Sequence, residues 1–164
     1  MHCDNVSNII AVSSCKGGVG KSTVAVNLAY SLAESGAKVG IFDADVYGPS
    51  LSAMVNLDNE TLIYEKNLIK PLEHNKVKLM SFAYTQSTTE ETGPAILRGP
   101  MVTKIINQLL TSTNWGNLDY LILDMPPGTG DIQITLCQII PITAAIIVTT
   151  PQYISFIDVV KGIE

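Results

Sequence analysis

Apolar positions along the chain fall into short, solid runs separated by segments with helical spacing. Ile9-Ile10-Ala11-Val12 opens the series, and residues 9–14 read as a first strand. Residues 21–35 carry Val24, Leu28 and Leu32 on one helical face with Ala25 and Ala29 beside them, and Gly36 supplies the stop. Residues 38–43 (K-V-G-I-F-D) form a second apolar run that ends in an acid. Residues 61–70 and 76–82 read as short strands or a hairpin, with Pro71 and Asn75 as breakers, and 86–92 is polar. Arg98-Gly99-Pro100 then opens a helix in which Met101, Val102, Ile105, Ile106, Leu109 and Leu110 recur at helical spacing. Residues 119–124 (D-Y-L-I-L-D) and 144–149 (A-A-I-I-V-T) read as two further buried strands. Between them, Asp131 is placed to cap a helix over 132–139 that Pro141 ends, and 153–164 begins a last helix. Runs that are solid rather than alternating belong to strands covered on both faces. The predicted fold is therefore α/β, a mostly parallel β-sheet with helices on both faces and right-handed crossovers.

Composition narrows the picture. A chain of 164 residues, 46% apolar and 15% charged, suits one domain over 1–164 with a sizeable core. A net charge of −5 opposes a nucleic-acid-binding surface. Cys3, Cys15 and Cys137 are too scattered to build a disulfide framework, which fits a reducing compartment. No apolar run reaches the length of a membrane span, since the stretch 139–148 is interrupted by Pro141 and Thr143. Residues 1–10 have neither a signal-peptide apolar core nor an Arg-rich transit pattern. His2 and His74 lack metal-ligand spacing and read as solvated. Cys137, among apolar neighbours, reads as buried.

The chemistry concentrates where strands end. After the first strand comes S-S-C-K-G-G-V-G-K-S-T, residues 13–23. Gly17, Gly18 and Gly20 clear side chains from a loop whose backbone N–H groups can then cradle phosphate, and the following helix aims its positive end at the same anion. Lys21 is placed to reach the β- and γ-phosphates of ATP, and the Ser22 hydroxyl to bind Mg²⁺. Cys15 stands where the generic G-x-x-x-x-G-K-[ST] pattern has its first glycine, with an extra lysine, Lys16, after it. The second strand ends in D-A-D-V-Y-G-P-S, residues 43–50. Of Asp43 and Asp45, one can hold Mg²⁺ through water and the other can orient an attacking water. Asp124 ends its own strand in the manner of a Walker B aspartate. In the loop that follows, M-P-P-G-T-G-D, two prolines stiffen the backbone and two glycines let it approach a γ-phosphate. Arg98 reads equally as a residue near the helix cap or as a cation reaching a phosphate or an interface.

The loop K-G-G-V-G-K-S-T resembles the deviant Walker A loop of the ParA/MinD/nitrogenase-iron-protein ATPases, in which the extra lysine reaches the partner subunit's nucleotide. With F-D-A-D-V-Y-G-P-S, R-G-P-M-V, D-Y-L-I-L-D-M-P-P-G-T-G-D and I-V-T-T-P-Q, the chain resembles the Mrp/Nbp-type iron–sulfur cluster carriers. I-N-Q-L-L-T, L-C-Q and F-I-D-V-V-K-G favour their plastid branch. The resemblance implies an ATPase that hydrolyses slowly, forms a homodimer with nucleotide at the interface, and assembles or passes a [4Fe–4S] cluster to apo-proteins. It implies plastid stroma as the compartment for that branch, and cytoplasm otherwise.

Carried onto this sequence, catalysis falls on Lys16, Lys21 and Asp45. Nucleotide contacts fall on Lys16, Gly17, Gly18, Val19, Gly20, Lys21, Ser22 and Thr23, with Pro127 and Gly128 from a switch over 126–131. Metal contacts fall on Ser22, Asp43 and Asp124. The resemblance departs in one respect: the family pattern continues into a C-x-x-C pair that holds the cluster, and no C-x-x-C occurs in residues 1–164. The expectation is an ATPase domain truncated on its C-terminal side, its cluster ligands elsewhere. A ParA/MinD-type positioning ATPase is the competing expectation, though that group favours D-x-D-P-Q where this chain has D-A-D-V-Y-G-P-S.

Overall fold

A computed structural model describes residues 5–55, 57, 62–65, 68–86, 99–128 and 130–163. Arg98 and most of the polar stretch 86–92 lie outside them. The elements run β1 (Val6–Ser13), α1 (Lys21–Glu34), β2 (Val39–Asp43), α2 (Leu51–Met54), β3 (Ile63–Glu65), β4 (Leu68–Lys70) and β5 (Leu72–His74). They continue with β6 (Val77–Ser81), α3 (Phe82–Gln86), α4 (Gly99–Ser112), β7 (Leu118–Asp124), α5 (Asp131–Ile139), β8 (Ala144–Ile147) and α6 (Tyr153–Ile163).

Six strands form one sheet in the order β5-β6-β2-β7-β1-β8, parallel except for the edge strand β5. This is the predicted mostly parallel α/β architecture. Every residue of β2 is buried, as are Leu121 to Asp124 of β7, because helices cover both faces at the centre. Trp115, fully buried, packs edge-on to Phe42 and sits against Gly40, where an added Cβ would lie 2.9 Å from the indole. That close approach is what the glycine permits.

α1 forms where its helical spacing predicts it, and three other expectations are corrected. α1 packs through Ala25, Ala29 and Ala33, while Val24 is exposed and Leu28 and Leu32 are only half-buried. Small side chains let the helix lie close on the sheet, so the larger residues are pushed to its flanks. β8 is not a buried strand: Ala144, Ala145 and Ile147 are exposed, because β8 is a terminal strand of the sheet among the described residues. Cys137 is exposed, since Leu136 of α5 and Ile140 just past its end turn inward instead. His74 is not merely solvated; its Nδ1 lies 2.8 Å from the Tyr30 hydroxyl, with the two rings edge to face.

The region 51–93, nearly unreadable in sequence, supplies two hairpins. β3 and β4 pair as a separate antiparallel ribbon, tied to the end of α4 where Asn114 N–H donates to Ile69 O. β5 and β6 turn over two residues, Asn75 and Lys76, both at positive φ as a type I′ turn requires. β6 then pairs in parallel with β2, which carries Ser81 to the same end of the sheet as Asp43.

Candidate nucleotide site

Parallel pairing brings the carboxyl ends of β1, β2 and β7 together. In register, Val12 lies beside Asp124 and Asp124 beside Asp43, so the loop after β1 and both aspartates share one rim. Gly18 and Gly20 are at φ +74 and +89, and an added Cβ at Gly17, Gly18 or Gly20 would meet nothing within 4 Å. The loop therefore presents open backbone, and Gly20 leads directly into α1. Lys16 and Val19 are half-buried beside it, and Thr23 is exposed.

The Lys21 ammonium is buried and contacts Asp124 Oδ1; it also donates to Ser22 Oγ at 3.2 Å. One ammonium, one hydroxyl and one carboxylate thus converge at the start of α1. Oxygen donors of this kind suit a hard cation such as Mg²⁺, and the ammonium beside them suits phosphate.

Asp43 is 1% exposed and fully engaged. Its Oδ1 accepts from Asp45 N–H, and its Oδ2 accepts from Ser50 N–H, Leu51 N–H and the Ser81 hydroxyl. Burial pushes its pKa up to about 6; the Leu51 and Asp45 amides and Lys21 pull the other way, and the Asp124 charge adds to the rise. Asp43 therefore holds the loop 43–51 in shape. Asp45, half-buried at the head of that loop, accepts from Gly48 N–H at 3.1 Å through Oδ1.

The loop after β7 is stitched to the phosphate loop at three points. Met125 N–H donates to Val12 O at 3.0 Å, and Gly128 N–H, at a residue with φ +94, donates to Ser14 O at 2.9 Å. The Gln133 side-chain amide, from the first turn of α5, donates to both Pro126 O and Ser13 Oγ. Pro127 is exposed beside Gly128. α5 starts at Asp131 with Gly130 as its N-cap, one residue before the expected position.

Sequence reasoning missed Ser14, Ser81 and Gln133. Ser81 could not be found without knowing that β6 joins the sheet beside β2. Gln133 has no local signal, because an amide near a helix start ordinarily faces solvent.

A glycine loop opening onto a helix, with a lysine, a hydroxyl and a strand-end aspartate gathered at its mouth, defines a P-loop NTPase. A ParA profile described as NUBPL iron-transfer P-loop NTPase matches residues 5–164, and the chain belongs to this family. It is 66% identical over 161 residues to the chloroplastic Fe-S cluster assembly factor HCF101 of Arabidopsis thaliana, covering 97% of this chain and 29% of that protein. It is 51% identical over 161 residues to the iron-sulfur cluster carrier protein of Escherichia coli K12, covering 98% of this chain and 43% of that protein. The chain thus spans less than half the length of either relative. A nucleotide-binding protein of Archaeoglobus fulgidus, solved in complex with ADP, superposes with a TM-score of 0.80 at 33% identity, over 98% of this chain and 63% of that one. The MinD of the Aquifex aeolicus MinC:MinD complex shares the fold at a TM-score of 0.61, 24% identity and 95% of this chain against 62% of that one.

Among the described residues, no helix is long and apolar enough to cross a membrane. Nor does any group of three or more His, Cys, Asp or Glu side chains among them stand close enough to hold a metal ion.

Proposed function

We propose that this chain binds ATP with Mg²⁺ and hydrolyses it slowly as the motor half of a homodimeric iron–sulfur cluster carrier. The observation that carries the reading is the convergence of Lys21, Ser22 and Asp124 at the mouth of an open glycine loop. In this reading the backbone of Gly17, Gly18, Val19, Gly20 and Thr23 cradles the phosphates, and Lys21 neutralises the β- and γ-phosphates. Ser22 and Asp124 hold Mg²⁺, which supplies charge neutralisation between the phosphates. Asp43, with both oxygens engaged, meets the metal shell only through water. Asp45 orients the attacking water, so that its oxygen bonds to the γ-phosphorus as the bond to ADP breaks. Pro127 and Gly128 sense the γ-phosphate, and Lys16 reaches the nucleotide of a second copy.

The [4Fe–4S] cluster is the cargo, assembled or passed to apo-proteins, and its ligands lie outside the described residues. The names of the plant and bacterial relatives support this role. The chloroplastic relatives support plastid stroma as the compartment, with cytoplasm as the alternative.

Two measurements on the full-length protein test the reading. Lys21→Ala should reduce Mg·ATP affinity by two orders of magnitude or more, about 3 kcal/mol of charge-assisted contact; normal affinity would remove the phosphate-loop assignment. Anaerobic reconstitution should yield iron and acid-labile sulfide near four of each per dimer. An ATPase that takes up neither would belong with the positioning ATPases instead.

A further inference from the structure

Ser14 lies between the two parts of the site that have to communicate. Its backbone carbonyl accepts the Gly128 N–H at 2.9 Å, and its hydroxyl donates to the Lys16 carbonyl at 2.9 Å. It is 1% exposed, so neither bond is traded for one to solvent. On the β7 side, the Gln133 amide fixes Pro126 to Ser13, which leaves Gly128 as the next backbone donor along the loop. Gly128, at φ +94, is in a conformation from which a glycine rotates with little steric cost.

From this arrangement we infer that Ser14 is a positioning residue that couples the loop after β7 to Lys16. The inference rests on the homodimer reading above, in which Gly128 senses the γ-phosphate and Lys16 reaches across. One N–H serves one acceptor well. When the Gly128 N–H turns to a γ-phosphate oxygen, Ser14 O gives up its donor and the segment 14–16 is freed to re-seat. The Ser14 hydroxyl, bonded to Lys16 O, carries that change to the lysine backbone. Nucleotide state thereby sets where Lys16 points, and so whether two copies can close over their nucleotides. A serine that only shaped the loop would affect nucleotide affinity and dimerisation alike.

The test is a double-mutant cycle in the full-length protein, with Asp45→Ala as the common background so that ATP persists. The readouts are ATP-dependent dimerisation by sedimentation and Mg·ADP affinity by calorimetry. Ser14→Ala should weaken dimerisation by about five- to tenfold, the scale of one buried hydrogen bond. The loss should fall on dimerisation far more than on Mg·ADP affinity. In a Lys16→Ala background the same substitution should add less than about twofold, because the residue it positions is gone. If the two effects multiply, or if Ser14→Ala lowers Mg·ADP affinity as much as dimerisation, Ser14 only shapes the loop and the inference falls. If Lys16→Ala alone leaves ATP-dependent dimerisation intact, the reading in which Lys16 reaches across falls and takes the inference with it.

Discussion

Asp43 accepts three hydrogen bonds from the loop that contains Asp45 and a fourth from Ser81 on β6, and it does so from a buried position that disfavours its charge. Its pKa is raised by burial to about 6, above the ordinary 3.8. Asp124 reinforces the rise, while the Leu51 and Asp45 amides and Lys21 oppose it; the buried Tyr84 also lies within reach of the Asp43 charge. A raised carboxyl pKa means that the folded state binds the proton more tightly than the unfolded chain does. The stability this group confers is therefore full below pH 3.8 and is lost as pH rises through about 6. Asp43→Asn removes the titration while keeping size and one carbonyl acceptor. The stability difference between wild type and Asp43→Asn should move in favour of wild type as pH falls from 8 to 4, by at most about 3 kcal/mol. Urea unfolding of both proteins across that range measures it. A difference that stays flat, or moves in favour of the variant, would show that the native carboxylate is as well solvated as the unfolded one.

At the scale of elements, α5 does two tasks with one turn. Leu136 and Ile140 anchor it in the core, and Gln133 holds the loop ahead of it against β1. Gln133→Leu removes both amide bonds and leaves the apolar anchor. The phosphate contacts assigned to residues 16–23 stay in place, so the KM for ATP should change by less than about twofold. kcat should fall by about three- to tenfold, as an unclamped loop spends less time in a productive position. Steady-state kinetics on the full-length protein separates the two, and a rise in KM with kcat intact would make Gln133 a binding residue. None of this could be read from the chain, whereas β1, β2 and β7 could. β2 and the end of β7 are buried on both faces, so their apolar runs are unbroken and end in the very aspartates that face the site, while β1 shows as the run Ile9–Val12. β3, β4 and β5 have three residues each, too few for any period to show. Hydropathy does not show which side of α1 lies on the sheet, because close packing there is decided by the small Ala25, Ala29 and Ala33. Nor does it separate Cys137 from its apolar neighbours, of which Leu136 and Ile140 turn inward and Cys137 outward.

For the molecule as a whole, the sheet has unequal edges. β5 ends one side with a three-residue antiparallel strand, short enough to offer little template. Among the described residues β8 ends the other as a parallel strand with exposed Ala144, Ala145 and Ile147, and α6 beyond it exposes Tyr153 and Val160. Its apolar composition suggested a covered strand, because a run of Ala and Ile says what a strand can pack against and not whether a neighbour is there. An apolar strand edge with free backbone groups pairs with another such edge unless a charge intervenes. The 164-residue chain should therefore self-associate in a concentration-dependent way without nucleotide, separately from any ATP-dependent closure through Lys16. Ala145→Lys places an ammonium on that edge, away from the phosphate loop, since its register partner is Ala11 in mid-strand. It should suppress the nucleotide-independent association by tenfold or more in sedimentation velocity, about 1.4 kcal/mol, because a charge on the edge opposes edge pairing. Association that persists unchanged in Ala145→Lys, yet disappears in Ile134→Lys, would move the contact to α5, whose exposed Ile134 is the next apolar surface.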